Sequence, residues 1–184
     1  MNVLVACEFS GRVRDAFTKR GHYAVSCDFL PSETPGFHYL DYIEQVLDRT
    51  PGRWDLMIAF PPCTYLASSG ARWNVHRQRL QQDAIDFVKY LWNQPIEKIC
   101  IENPVGVLST RFKKPSQYIQ PWQFGHGEVK KTCFWLKNLP KLKPTDIVPG
   151  RKPRVHYEPP GPDRWKNRSR TYPGIAEAMA DQWG

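Results

Sequence analysis

Apolar residues along this chain come in two rhythms. Continuous runs at 2–7 (NVLVAC), 23–27, 54–60 and 96–101 read as strands covered on both faces, because buried parallel strands show unbroken rather than alternating hydrophobicity. Helical periods lie between them. Val13, Ala16 and Phe17 share one face of 12–20, which Gly21 ends, and a short helix spans about 42–47. Leu80, Ala84, Ile85, Phe87, Val88, Leu91 and Trp92 make 77–92 an amphipathic helix. Residues 132–136 (TCFWL) read as a further strand and 117–127 as irregular, aromatic chain. Residues 140–162 read as an extended proline-rich loop, and 175–182 as a closing helix introduced by Pro173-Gly174. Strands alternating with helices throughout, with no internal repeat, predict an α/β fold built on a doubly wound, mostly parallel sheet.

The ends of two strands carry the chemistry. The run at 54–60 meets Pro61 and Pro62, which lack the N–H a ladder needs, so Cys63 is presented just past a carboxyl end, where ligands bind in open α/β sheets. The plain alternative is a buried free cysteine at a strand edge. Glu102-Asn103-Pro104 follows the strand at 96–101, on the same edge. Asn103 also reads as a turn residue that satisfies local backbone. Strand, turn, helix, strand and then Asp28 is the arrangement that binds nucleotide-like cofactors, with the acid accepting from a ribose; a turn or cap role for Asp28 stands beside it. A thiolate opposite an acid suits attack on a pyrimidine. The sulfur adds to C6, an acid near N3 takes up the charge, and C5 becomes able to accept a methyl group. Such a thiolate needs positive surroundings.

Composition narrows the partners. A length of 184 residues predicts one domain with a real core, and 41% apolar with 13% aromatic residues excludes a disordered chain. No run of about 18 apolar residues and no signal-peptide pattern occurs, so the sequence predicts a cytoplasmic protein away from membranes. Five cysteines without a C-x-x-C or a metal-like pairing with histidine read as reduced thiols, with no metal site expected. The net charge of +8 is concentrated: between Arg111 and Arg170 stand fifteen Lys and Arg against four acids, while 1–110 is close to neutral. A polyanion engaging the second half is one reading, with Trp122, Trp135, Tyr157 and Trp165 as stacking surfaces; a merely soluble basic face is the other.

The order of these segments resembles the cytosine-C5 DNA methyltransferase family. Phe9-Ser10-Gly11 resembles its F-x-G turn, Asp28 and Asp41 its acidic positions, Phe60-Pro61-Pro62-Cys63 its P-C motif, and Glu102-Asn103 its E-N pair. The stretch 66–70 resembles its F-S-x-x-G, 124–132 its Y-G-x-x-Q-x-R-x-R segment, and 173–182 its closing helix. The resemblance implies a Rossmann-like methyltransferase fold. It also implies Cys63 and Glu102 as catalytic pair and S-adenosylmethionine held by Phe9, Gly11, Asp28, Asp41 and Pro61. Asn103, Lys130, Lys131 and Arg72 would meet the substrate, although a solvated arginine is the plainer reading of Arg72. Three departures stand out. Arg12, Val13 and Arg14 follow Gly11 where the family has further glycines, so the cofactor pocket is expected to be altered. Glu128, Lys130 and Thr132 occupy the Q, R and R positions, and lysine does not replace a bidentate arginine. A proline-, lysine- and arginine-rich stretch at about 139–170 stands where full-length members insert a recognition domain.

Phosphate contacts alone carry no sequence information, so the expected activity is methylation of cytosine C5 in duplex or single-stranded DNA with little sequence preference. A partner protein could supply a reader. The alternatives are modification of a free cytosine nucleotide, use of another one-carbon donor, and a nucleic-acid-binding module that has lost catalysis.

Overall fold

The computed structural model describes residues 1–69 and 77–184. Seven strands form one sheet: β1 (Asn2–Ala6), β2 (Tyr23–Asp28), β3 (His38–Leu40), β4 (Leu56–Ala59), β5 (Lys98–Pro104), β6 (Gln117–Ile119) and β7 (Thr132–Lys137). Their order is β3-β2-β1-β4-β5-β7-β6. The first five are mutually parallel, and β7 runs antiparallel between β5 and β6. The fold is therefore α/β with a mostly parallel sheet, compatible with a Rossmann-like arrangement.

Alternate residues of each buried strand face opposite layers. Leu4 and Ala6 of β1 join Met57 and Ala59 of β4 in a core under α2 (Ile43–Arg49), α3 (Gln78–Trp92) and α4 (Leu108–Arg111). Val3 and Val5 join Leu56 and Ile58 in a second core under α1 (Arg12–Lys19) and α6 (Pro173–Trp183). Burial on both sides is what the unbroken apolar runs signalled. Among the described residues no helix is long and apolar enough to cross a membrane.

Several elements differ from the sequence reading. β5 runs on through Glu102, Asn103 and Pro104, because β7 continues beside it and pairs Glu102 with Phe134 and Asn103 with Cys133. The stretch expected to be irregular contains β6 and a 3-10 turn at Pro121–Gln123. The proline-rich segment is largely extended, with a 3-10 turn at Arg154–Tyr157, and is followed by α5 (Arg164–Ser169), which periodicity did not signal.

The chain runs outward from β1 to β3, then returns to place β4 on β1's other flank. The reversal lies between β1 and β4, and in open α/β sheets the crevice outside the carboxyl ends at such a point is the binding site.

Candidate active site

Two adjoining cavities occupy that crevice. The smaller, about 110 Å³, is lined by Cys63 from the turn after β4, Glu102 and Asn103 from β5, Glu8 from the turn after β1, and Lys130 and Arg168 from the second half. The larger, about 420 Å³, is lined by Phe9, Asp28, Leu30, Asp41, Ile43 and Trp165 among others. Cys7, Phe9, Phe60, Pro62, Cys63 and Ser169 line both. The thiol of Cys63 thus stands where one cavity meets the other.

The turn that carries Cys63 is pinned from two directions. The Asn103 amide donates to the carbonyl of Pro61 at 2.8 Å, and the N–H groups of Leu66 and Ala67 donate back to the carbonyl of Cys63 at 3.0 and 2.9 Å. Beyond it, Ser68 N–H donates to Val105 O and Val107 N–H to Leu66 O, both at 3.0 Å. Gly106 permits this docking, since a Cβ there would lie 1.9 Å from the Leu66 carbonyl oxygen. Cys7 adds a special conformation at the end of β1, with φ 57° in a non-glycine residue. Residues held in this region cluster where ligands bind.

The electrostatics separate the two candidate catalytic groups. Cys63 is exposed as a residue. Its sulfur nonetheless has enough protein around it that burial, followed by the nearby Glu102 charge, raises the thiol pKa; Lys130 and Arg168 pull it back in part. These are the positive surroundings the chemistry asks for, but burial and Glu102 outweigh them. Burial likewise raises Glu102, against Lys130 and Thr132, the direction a proton-donating carboxyl requires.

Around the larger cavity, burial raises Asp28, whose Oδ1 accepts the Leu30 N–H at 3.0 Å. Asp41 behaves oppositely. The Tyr42 N–H and the Arg49 guanidinium hold it below the usual carboxylate range.

The crevice thus brings together Cys63, Glu102, Asn103, Phe9, Asp28, Asp41, Pro61 and Lys130. Two other residues do not join them. Gly11, at φ 75°, begins α1 but lines neither cavity, because Arg14 and Thr34 fill the space beside it; a Cβ there would lie 2.1 Å from Thr34 Oγ1. Arg14 is buried and donates to Ser26, Ser32, Thr34, Pro35 and Asp15, so its side chain fills the glycine turn. Lys131 is exposed, with its ammonium 4.4 Å from the centre of the Tyr118 ring. Arg72 and Gly70 lie outside the described residues. Glu128 turns away to Arg154, at 2.9 Å.

Of the four proposed stacking surfaces, Trp135 is withdrawn: it is buried, and its indole N–H donates to the Lys113 carbonyl at 2.7 Å. Trp165 and Tyr157 are exposed, and Trp122 is half-buried under the Arg151 guanidinium at 3.6 Å.

Apart from Trp165, sequence reasoning missed the far wall. Residues 168–171 line the smaller cavity, and Trp165 and Ser169 of α5 line the larger. Arg170 pairs with Glu33 through two contacts, at 2.7 and 2.5 Å, and the Trp165 and Phe9 rings lie 5.9 Å apart. The signal available was the unbalanced basic run RWKNRSR beside an otherwise loop-like segment.

Among the described residues no group of three or more His, Cys, Asp or Glu could hold a metal ion. No protein-family model matches the chain, and neither does any curated protein.

Proposed function

We propose that this chain is an S-adenosylmethionine-dependent methyltransferase that acts at C5 of cytosine in DNA through Cys63, with little sequence preference. One observation carries the reading: Cys63 and Glu102, brought by different strands to one small cavity, adjoin a larger cavity lined by Phe9, Asp28 and Asp41. Helices on both faces of the sheet support the doubly wound, methyltransferase-type architecture, and the reversal between β1 and β4 puts both cavities at its usual binding edge.

The larger cavity suits the cofactor. Its volume lies in the range of small-ligand sites. Phe9, Phe60, Ile43 and Phe87 offer an apolar bed for a ring, and Asp28 has a second carboxylate oxygen available for sugar hydroxyls. With the glycine turn filled by Arg14, the bed and Asp28 carry the holding. When bound, the cofactor supplies a methyl group on a positively charged sulfur.

The chain's own residues do the rest. Cys63, as thiolate, adds to C6 of the ring and forms a carbon–sulfur bond. Glu102, in the protonated form that burial favours, donates at N3 and absorbs the charge that addition pushes there. Asn103 fixes the turn that aims the sulfur. C5 would then take the methyl group that the bound cofactor supplies, and the C5 proton would leave to solvent. Its electron pair would form the C5–C6 double bond as the carbon–sulfur bond breaks and the Cys63 thiolate is expelled, and the N3 proton would return to Glu102.

The smaller cavity accommodates one base, so a duplex substrate must give up its target from the stack at a cost of roughly a few kcal/mol. That size favours a second reading, in which a free cytosine nucleotide is the substrate. Labelled S-adenosylmethionine offered with duplex DNA, single-stranded DNA and dCMP, with Cys63→Ala as control, separates them. Label on DNA that requires Cys63 is the expected result. Label on dCMP alone moves the function to nucleotides, label independent of Cys63 ends the thiol mechanism, and DNA retention without transfer leaves only a binding module.

A further inference from the structure

We propose that Arg168 holds the phosphate of the target cytosine nucleotide. The identity of the base rests on the methyltransferase reading above; the anion contact rests on Arg168 itself.

Arg168 lines the cavity that contains Cys63 and Glu102. Among the described residues its guanidinium forms no ion pair and donates no hydrogen bond, unlike the neighbouring cations. Arg170 is held by Glu33 and Asn167, Arg164 donates to the Glu158 carbonyl, and Arg154 pairs with Glu128. Lys130 donates one hydrogen bond from its ammonium to the Arg168 carbonyl at 2.7 Å, which fixes the backbone of Arg168. The Arg170–Glu33 pair holds the same stretch from the other side. A half-buried guanidinium on a fixed backbone, without an acid, completes its hydrogen bonding with an anion, and its planar fork matches a phosphate.

The sequence around Lys130 points the same way. At the positions resembling Q, R and R stand Glu128, Lys130 and Thr132, so no guanidinium comes from that segment. Arg168 supplies one from a segment outside the resemblance.

The test uses the full chain, a short single-stranded oligonucleotide with one cytosine, and copies in which each phosphate flanking that cytosine is in turn a neutral methylphosphonate. Binding is read by fluorescence anisotropy, with dCMP as competitor to tell a free nucleotide from a strand. In the native protein one substitution should weaken binding about tenfold or more. In R168Q that same substitution should cost nothing further, and R168K should restore part of the contact. The proposal falls if R168Q and the native protein respond alike at every position, or if neutralising no phosphate affects the native protein. It also falls if R168Q loses affinity while keeping the native position profile, since Arg168 would then act through structure. A position effect that depends on Arg168, in a protein that transfers no methyl group, supports the contact and refutes the methyltransferase reading.

Discussion

The side-chain amide of Asn103 donates to the main-chain carbonyl of Pro61 at 2.8 Å, joining the end of β5 to the turn that presents Cys63. Both residues are buried, so water cannot replace this bond. Asn103→Leu should leave the Pro61 oxygen unpaired at a cost of about 1–3 kcal/mol, visible as a lower urea midpoint with an unchanged slope. An unchanged midpoint would show that the turn holds itself.

Glu102 and Arg168 act on the Cys63 thiol with opposite sign. Alkylation by iodoacetamide, followed on the peptide that carries Cys63, should titrate above the ordinary thiol value of 9.0. Glu102→Gln removes a negative charge, stabilises the thiolate and should move the midpoint down; Arg168→Gln should move it up. If methyl transfer needs the thiolate, its rate should climb from neutral into alkaline pH. Identical titration curves in all three proteins would refute the coupling.

Gly106 sits against the backbone of the Cys63 turn, not against a side chain that could swing away. Gly106→Ala should therefore destabilise by about 1–3 kcal/mol and displace the turn. Gly161→Ala, with nothing within 4 Å of the new Cβ, serves as the control and should shift the thermal midpoint little.

Arg14 gathers the loop 32–36 through its guanidinium, and its removal strands buried Ser26 together with half-buried Ser32 and Thr34. Arg14→Met should cost about 3 kcal/mol, because several hydrogen bonds to one charged group are lost together. Calorimetry on the variant reads the loss directly; a loss below about 1 kcal/mol would mean that the loop is held by other contacts.

How far the sequence could be read follows from the range of the forces involved. The runs ending in Cys63 and Glu102 were legible because burial on both faces leaves a continuous signature, and Pro61-Pro62 marks the stop locally. Filling of the Gly11 turn was not, because the partners of Arg14 come from a loop about twenty residues later. Lys130 and Lys131 look equivalent on paper, yet neighbours in extended chain point to opposite sides, so only one reaches the cavity. α5 is six residues long, polar, and has no buried side chain, so it carries no apolar period to find. β6, with three residues, is too short for a period of two to declare itself.

The arginine in the glycine turn has a thermodynamic consequence. Where a glycine-rich loop gains its order when a ligand arrives, the loop 32–36 is already ordered by the guanidinium of Arg14. Association at this edge then forfeits little chain entropy from the loop 32–36, and no folding of that loop should enter its heat-capacity change. The order of that loop is set when the protein folds.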